Sequence, residues 1–392
     1  LTDFLYFRYM KCLPNSIQPE LNQGEQNDAL KKGSLPNDLI DFASNDYLGF
    51  SQSEILFKVT DEYLVKNKCI EKAATGSLFL SGNRSLFEET EGFVANFHQT
   101  ETALLFNSGR DATIGFFSAV PQEGDLILYD ELCNASIRDG LQRSDAISLK
   151  FDHNDFEAVE KLILRNPKTI IYIVTESVFS MDGDCPNLEE LVRISDKQHC
   201  YLVVDEAHAL GVFGLKGEGF VQMLGLQDSI FARIMTFESA LGCTGAAIVG
   251  SVNLRDCVVN FAQSFKYTTG LSLRSVATIL IAYQHLEKEQ QTIAQLRENI
   301  IHFRQEKNLL GLKALFVHGK SAIHSAIIPG NENVTSISQK LQEKGFDLKA
   351  ILSPSVPEGQ ERIRFCLHSY NSKEEISEVL RLLSVFIFSS QI

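Results

Sequence analysis

Tyr201-Leu202-Val203-Val204-Asp205-Glu206-Ala207-His208 decides how this chain is read. Four apolar residues run into two acids without a polar interruption. A run of that length, with no in–out alternation, is the pattern of a strand buried on both faces. A carboxylate at the end of such a strand is costly to bury without a partner. Asp205 is read either as a cap on the following turn or as the counter-charge of a cationic ring nitrogen, with His208 three residues on. Asp-x-x-His also brings a metal to mind, but no compact set of ligands at standard spacing accompanies it, and no metal site is read.

Working outward, residues 103–250 repeat the same motif of short apolar runs separated by helix-length stretches. Strands are predicted at Ala103–Asn107, Leu126–Asp130, Ala146–Phe151, Ile170–Thr175, Tyr201–Asp205, Arg233–Phe237 and Ala246–Gly250. Helix starts are predicted at Asn154, with Glu157 in the capping-box position, and at Ser85, with Glu88. Strands joined by helical crossovers imply an α/β fold: a mostly parallel sheet with helices on both faces, binding ligands at the carboxyl ends of its strands. Beyond residue 285 the pattern shifts to a long polar helix over Leu286–Asn308, runs at Ala322–Ile328 and Arg362–His368, and helices at Val334–Lys344 and from Ser372 to about Phe386. The expected division is an N-terminal segment over 1–45, a large domain over 46–285 and a smaller α+β domain over 286–392. Gln18–Asn37, rich in Asn, Gln, Gly and Pro, reads as a flexible entry segment.

Composition narrows the function classes. With 44% hydrophobic and 22% charged residues the chain has the profile of a soluble globular protein. A net charge of −14 argues against nucleic acid or an anionic membrane as partner. The eight cysteines show neither C-x-x-C nor Cys/His ligand spacing and read as free thiols in a reducing cytoplasm. No apolar run reaches membrane-spanning length; Asp3 and Arg8 interrupt the opening Leu1–Met10, which is no signal peptide.

One further signal bears on a phosphate. Phe106-Asn107-Ser108-Gly109-Arg110-Asp111 is a strand end, a small-residue turn and a helix start, where exposed N–H groups attract an anion.

With these residues stand Phe42-Ala43-Ser44-Asn45-Asp46-Tyr47-Leu48-Gly49, Leu80-Ser81-Gly82-Asn83, Ala135–Gly140, Glu176–Asp184, Asp205–Gly211, Tyr267-Thr268-Thr269 and Glu361-Arg362-Ile363-Arg364. In that order, across about residues 40–370, they resemble the α-oxoamine synthases, fold-type I pyridoxal-phosphate (PLP) enzymes that condense an amino acid with an acyl thioester and release carbon dioxide. The resemblance implies a fold-type I large domain with a smaller C-terminal domain. It implies that Asp205 pairs with the ring nitrogen and His208 with the ring hydroxyl side. Ser108, Gly109, Arg110 and Thr236 would hold the phosphate, with Ser180 near the ring. Thr268 would reach the other subunit's phosphate in a dimer with shared sites. Arg364 would take the substrate carboxylate, and Asn45 would line the entrance.

The chain departs from that pattern where the chemistry lies. Glu238-Ser239 stands where the family has Gly-Lys, so the covalent anchor is absent. Asn134 replaces the histidine that stacks on the ring, Leu78 an arginine, Arg110 an aromatic and Thr113 an asparagine; Gly270–Leu273 replaces the usual small-residue turn. A serine hydroxyl forms no Schiff base and carries no ammonium proton. Asn134 neither stacks as an imidazole nor titrates near neutrality. PLP, if bound at all, would be held non-covalently. Lys266 is the candidate substitute amine. Three functions follow from these features: a non-catalytic family member acting as a homodimer or beside a lysine-bearing paralogue, a working acyltransferase on an amino acid such as alanine, and a PLP-independent binder of an acyl ligand.

Overall fold

The computed structural model describes residues 38–69, 74, 76 and 84–389, and all structural statements concern these. The segment Gln18–Asn37, the motif Leu80–Asn83, Leu78 and Cys12 lie outside them. Residues from Leu39 onward form one packed unit.

The strands are β1 (Ile40–Asp41), β2 (Thr102–Phe106), β3 (Leu126–Asp130), β4 (Ile147–Phe151), β5 (Ile171–Glu176), β6 (Tyr201–Asp205), β7 (Ala232–Thr236), β8 (Ala246–Gly250), β9 (Ile323–Ile327), β10 (Phe346–Asp347), β11 (Lys349–Ile351) and β12 (Arg362–Cys366). Seven of them make the main sheet in the order β2-β8-β7-β6-β5-β3-β4. β8 is antiparallel to both its neighbours and the remaining pairs are parallel. The carboxyl ends of β2, β3, β5, β6 and β7 therefore share one edge.

Alternation along the central strands explains why they read as unbroken apolar runs. Ile127, Tyr172, Val174 and Val203 pack on one face with Phe116 and Phe117 of the helix Gly109–Ala119. Leu126, Leu128, Ile173, Leu202 and Val204 pack on the other with Leu188 and Leu191 of the helix Leu188–Gln198. Both faces are covered, so both side-chain sets are apolar.

The second sheet is antiparallel, in the order β11-β12-β9, and β1 pairs in parallel with β10. Its edge meets the main sheet at Met181–Asp184. Ser325 Oγ donates to the Met181 carbonyl at 2.6 Å and Ser321 Oγ to the Gly183 carbonyl at 2.7 Å. The Arg362 guanidinium pairs with Asp182. Gly183 has φ +73°, and a Cβ built there would stand 2.1 Å from the Ile323 carbonyl oxygen. Only glycine fits this contact.

Three sequence expectations need correction. The cap of the helix Phe156–Arg165 is Asp155, whose side chain accepts from Ala158 N–H, and not Asn154. Asn154 takes φ +59° and spends its amide on His153 and Asp184. Ser85 lies inside the helix Arg84–Phe97 and does not precede it. The long polar helix is Gln290–Leu309, and the residues before Leu286 form a separate helix, Leu273–Leu286, that the sequence reading missed. Val276, Ala277, Ile279, Leu280, Ile281, Ala282 and Tyr283 of that helix are all buried, and Arg274, Ser275, Thr278, Gln284 and His285 form only a narrow polar stripe against them.

Candidate functional site

The site lies at the shared edge of strand ends, built outward from β6. Asp205 and Glu176 are register partners on β6 and β5, and both are buried. Burial first, and then the charge of Asp205 on Glu176 and of Glu206 on Asp205, raises both acids above their ordinary range. Asp205 Oδ1 accepts from Ala207 N–H at 2.8 Å. Glu176 accepts from the backbone N–H of Asn134 at 2.5 Å and of Ser180 at 3.2 Å. Glu176 is thereby committed to holding two loops, whereas Asp205 has no ion pair among the described residues.

His208 follows on the turn after β6. Its Nδ1 lies 2.8 Å from the Tyr47 hydroxyl. Burial, aided by the Arg364 charge, depresses the imidazole to about 3, and burial raises the Tyr47 phenol far above its ordinary value. Both groups are neutral at pH 7. With the phenol assigned as donor, the remaining ring proton stands on Nε2.

Arg364 reaches the site from β12. Its Nε donates to the Ser180 carbonyl at 2.9 Å and its Nη2 to Asn45 Oδ1 at 3.0 Å. The side chain of Asn45 and the loop carrying Ser180 thus fix a half-buried guanidinium whose planar fork suits a carboxylate.

The anion-holding part forms where β2 and β7 end. Ser108 caps the helix Gly109–Ala119, accepting from Asp111 N–H at 3.1 Å. A Cβ on Gly109 would stand 2.4 Å from Thr236 Cγ2, so the helix start packs its bare backbone against the Thr236 side chain at the end of β7. Asn107 donates to Thr268 Oγ1 at 3.1 Å and to the Thr269 carbonyl at 2.7 Å, which holds the Tyr267-Thr268-Thr269 segment against the end of β2 of the same chain. Arg110 turns to Asp139, 2.9 Å away, and is two-thirds exposed.

Ser239 lies in the turn from β7 to β8, with 4% of its surface exposed, and its hydroxyl makes no hydrogen bond among the described residues. Glu238 beside it is exposed. Asn134 is the cap of the helix Ala135–Leu141: its Oδ1 accepts from Ser136 N–H at 3.0 Å and its Nδ2 donates to Ser180 Oγ at 3.2 Å. Lys266 donates to the Asn260 carbonyl at 3.0 Å, at the end of the helix Val252–Phe261, and makes no hydrogen bond with Asp205 or Ser239.

The fold therefore gathers Asn45, Asn134, Ser180, Asp205, His208 and Arg364 into one connected set, and Ser108, Gly109, Thr236 and Thr268 into an adjoining one. It sends Arg110 and Lys266 to other partners. Sequence reasoning gave no role to Glu176 or Tyr47, although both stand in quoted motifs. The available signal for Glu176 was its place at the end of an apolar strand, the same signal that singled out Asp205.

A mostly parallel sheet with a carboxylate closing its central strand, a neutral histidine three residues on and a helix start at the neighbouring strand end defines the class of fold-type I, PLP-dependent α/β proteins. The chain belongs to the aminotransferase class I and II family, matched over residues 37–383, and within it to the α-oxoamine synthases. It is 37% identical to an 8-amino-7-oxononanoate synthase of Emericella nidulans, with 96% of each chain covered. Among solved structures it is similar to the 8-amino-7-oxononanoate synthase of Francisella tularensis, at 25% identity and a TM-score of 0.77, covering 90% of this chain and 99% of that one. It also matches a lysine-to-alanine variant of serine palmitoyltransferase from S. paucimobilis with a bound PLP–myriocin aldimine, at 22% identity and a TM-score of 0.87, over 97% and 100% of the chains; this likeness concerns the fold. No described helix is long and apolar enough to cross a membrane.

The residues present fit PLP in part. Asp205 is a buried acid lacking the cation that a protonated ring nitrogen would bring, and Ser108–Gly109 open a helix beside Thr236, where N–H groups suit an anion. At residue 239, where the family resemblance expects a lysine, the chain has a buried serine, which can form no Schiff base.

Proposed function

We propose that this chain is a lysine-lacking relative of 8-amino-7-oxononanoate synthase that keeps a PLP and amino-acid pocket without normal turnover, and that it serves as a subunit beside a second copy or a lysine-bearing paralogue. Ser239 is the observation that carries this reading: the residue on the β7–β8 turn is a buried hydroxyl, and the nearest sequence candidate for a substitute amine, Lys266, is spent on the Asn260 carbonyl. When bound, PLP supplies an electron sink for chemistry at an amino acid α-carbon. Asp205 would balance the ring nitrogen, and neutral His208, oriented by Tyr47, would donate to the ring hydroxyl. Ser108, Gly109 and Thr236 would cradle the phosphate, with Thr268 serving a neighbouring subunit. Arg364 would hold the amino-acid carboxylate. What the pocket lacks is a group at residue 239 able to form a covalent link and to move the α-proton. Asn134, committed as a helix cap, offers no imidazole face to the ring.

The alternative reading, condensation of alanine with an acyl thioester such as pimeloyl-thioester, draws on the 37% identity along the whole chain. One experiment separates the two. The purified chain is loaded with PLP, its visible spectrum is recorded before and after borohydride reduction, and the protein is digested for mass spectrometry. We expect PLP that survives buffer exchange but leaves no pyridoxyl-modified peptide, and a Ser239→Lys variant that gains one at residue 239. A modified peptide from the unaltered chain, such as one containing Lys266, or turnover of alanine with pimeloyl-thioester by the chain alone, overturns the proposal. A lysine-bearing paralogue that co-purifies supports the hetero-oligomeric form.

A further inference from the structure

A cavity of about 530 Å³ opens beside the helix Gln290–Leu309, lined in part by Arg297, Ile300 and Arg304, and shares no residue with the site around Asp205. Its volume is in the range of pockets that enclose most of a small ligand. Phe213, Phe220, Leu224 and Ile300 give it an apolar floor. Three cations line it, Arg297, Arg304 and Lys320, against one carboxylate, Glu189. Arg297 donates to the Gly214 carbonyl. Arg304 and Lys320 have no ion pair among the described residues.

This excess of positive charge stands out in a chain of net charge −14. It is felt in the adjoining core as well: after burial, the Arg304 charge helps to depress both Lys307 and His324. A neutral ligand would leave the two cations unanswered. A small polyanion would leave the aromatic floor wet. A molecule with an apolar chain and a single anionic end satisfies both.

We propose that this cavity is a second binding site, taking a medium-chain carboxylate of about ten carbons, with its tail on the Phe213–Phe220–Leu224–Ile300 floor and its headgroup between Arg304 and Lys320. The site is independent of PLP chemistry and of the function assigned above.

The test is calorimetric titration of the full chain, saturated with PLP, with decanoate and with 1-decanol as the uncharged counterpart. Decanoate is expected to bind at one saturable site and more tightly than decanol. The Arg304→Gln, Lys320→Gln double variant should weaken decanoate about tenfold and leave decanol unchanged, since rim charges act on the headgroup alone. Leu224→Trp, which fills the floor, should abolish binding of both. The proposal fails if decanoate shows no saturable binding, if neither variant weakens it, or if Arg364→Gln abolishes binding that the cavity variants leave intact, because the ligand would then lie in the cleft beside Asp205.

Discussion

Replacing His153 with glutamine should cost stability in a way that depends on pH, and the direction follows from the structure. His153 Nδ1 lies 2.9 Å from Asp130 Oδ1 and Nε2 lies 2.9 Å from Asp184 Oδ2, with the ring edge against Phe179 at 4.5 Å between centroids. Burial acts to lower the imidazole, but the hydrogen bonds and charges of the two aspartates outweigh it and raise the ring to about 10. A rise of about 3.5 from the ordinary 6.5 corresponds to nearly 5 kcal/mol at 1.36 kcal/mol per tenfold. The ring is about a quarter exposed, and solvent screening reduces the net figure to about 2–3 kcal/mol. A group whose folded value is raised contributes its full stability below pH 6.5 and loses it as pH climbs to about 10. At about 2 °C per kcal/mol for a chain of this size, the Tm of His153→Gln should lie about 5 °C below that of the unaltered protein at pH 6, with the gap closing towards pH 10. Circular-dichroism melts at a fixed scan rate across that range measure it. A gap that stays constant or widens with pH refutes the argument, since an effect of packing alone would not titrate.

Asn134→Ala should cost about 1 kcal/mol in urea unfolding through loss of the helix cap. His324→Phe should stabilise by about 1–3 kcal/mol, because the fully buried ring has both nitrogens unpartnered and already stacks on Phe303 at 4.6 Å. Burial depresses His324 to about 3, so the unaltered protein should lose stability as pH falls from 6.5 towards 3; the phenylalanine variant should lose less, as acid unfolding curves would show. Gly183→Ala should destabilise by about 2–4 kcal/mol, measured by the same unfolding assay, since the methyl meets the Ile323 carbonyl and the backbone is left-handed.

How far the chain could be read in advance depended on where each signal came from. Tyr201–Asp205 and Leu126–Asp130 were legible to the residue because both faces of each strand are apolar and the acids close them. The remaining main-sheet strands were legible to within a residue at either end. The helix Leu273–Leu286 was missed because its polar stripe, Arg274, Ser275, Thr278 and His285, is narrow against an otherwise buried apolar surface. At the site, the ends of β6 and β12 could be named from motifs, but what their residues touch could not. That Asn134 caps a helix, that Ser272 caps another by accepting from Ser275 N–H, and that Thr113 bonds back to the Gly109 carbonyl are tertiary and local facts invisible in a list of substitutions. With these contacts known, three of the six departures acquire a structural role, while Ser239 acquires none.

The seam at Gly183 has a consequence for the spacing of the site. Arg364 and Asp205 belong to different sheets, and the spacing between them is set where Met181–Asp184 meets β9, largely by main-chain carbonyls and two serine hydroxyls. The acceptors in that gap are backbone carbonyls, so substitutions elsewhere leave it unchanged as long as Ser321, Ser325 and Arg364 remain. Substitutions lining the pocket that spare this seam would therefore leave the spacing between Asp205 and Arg364 intact.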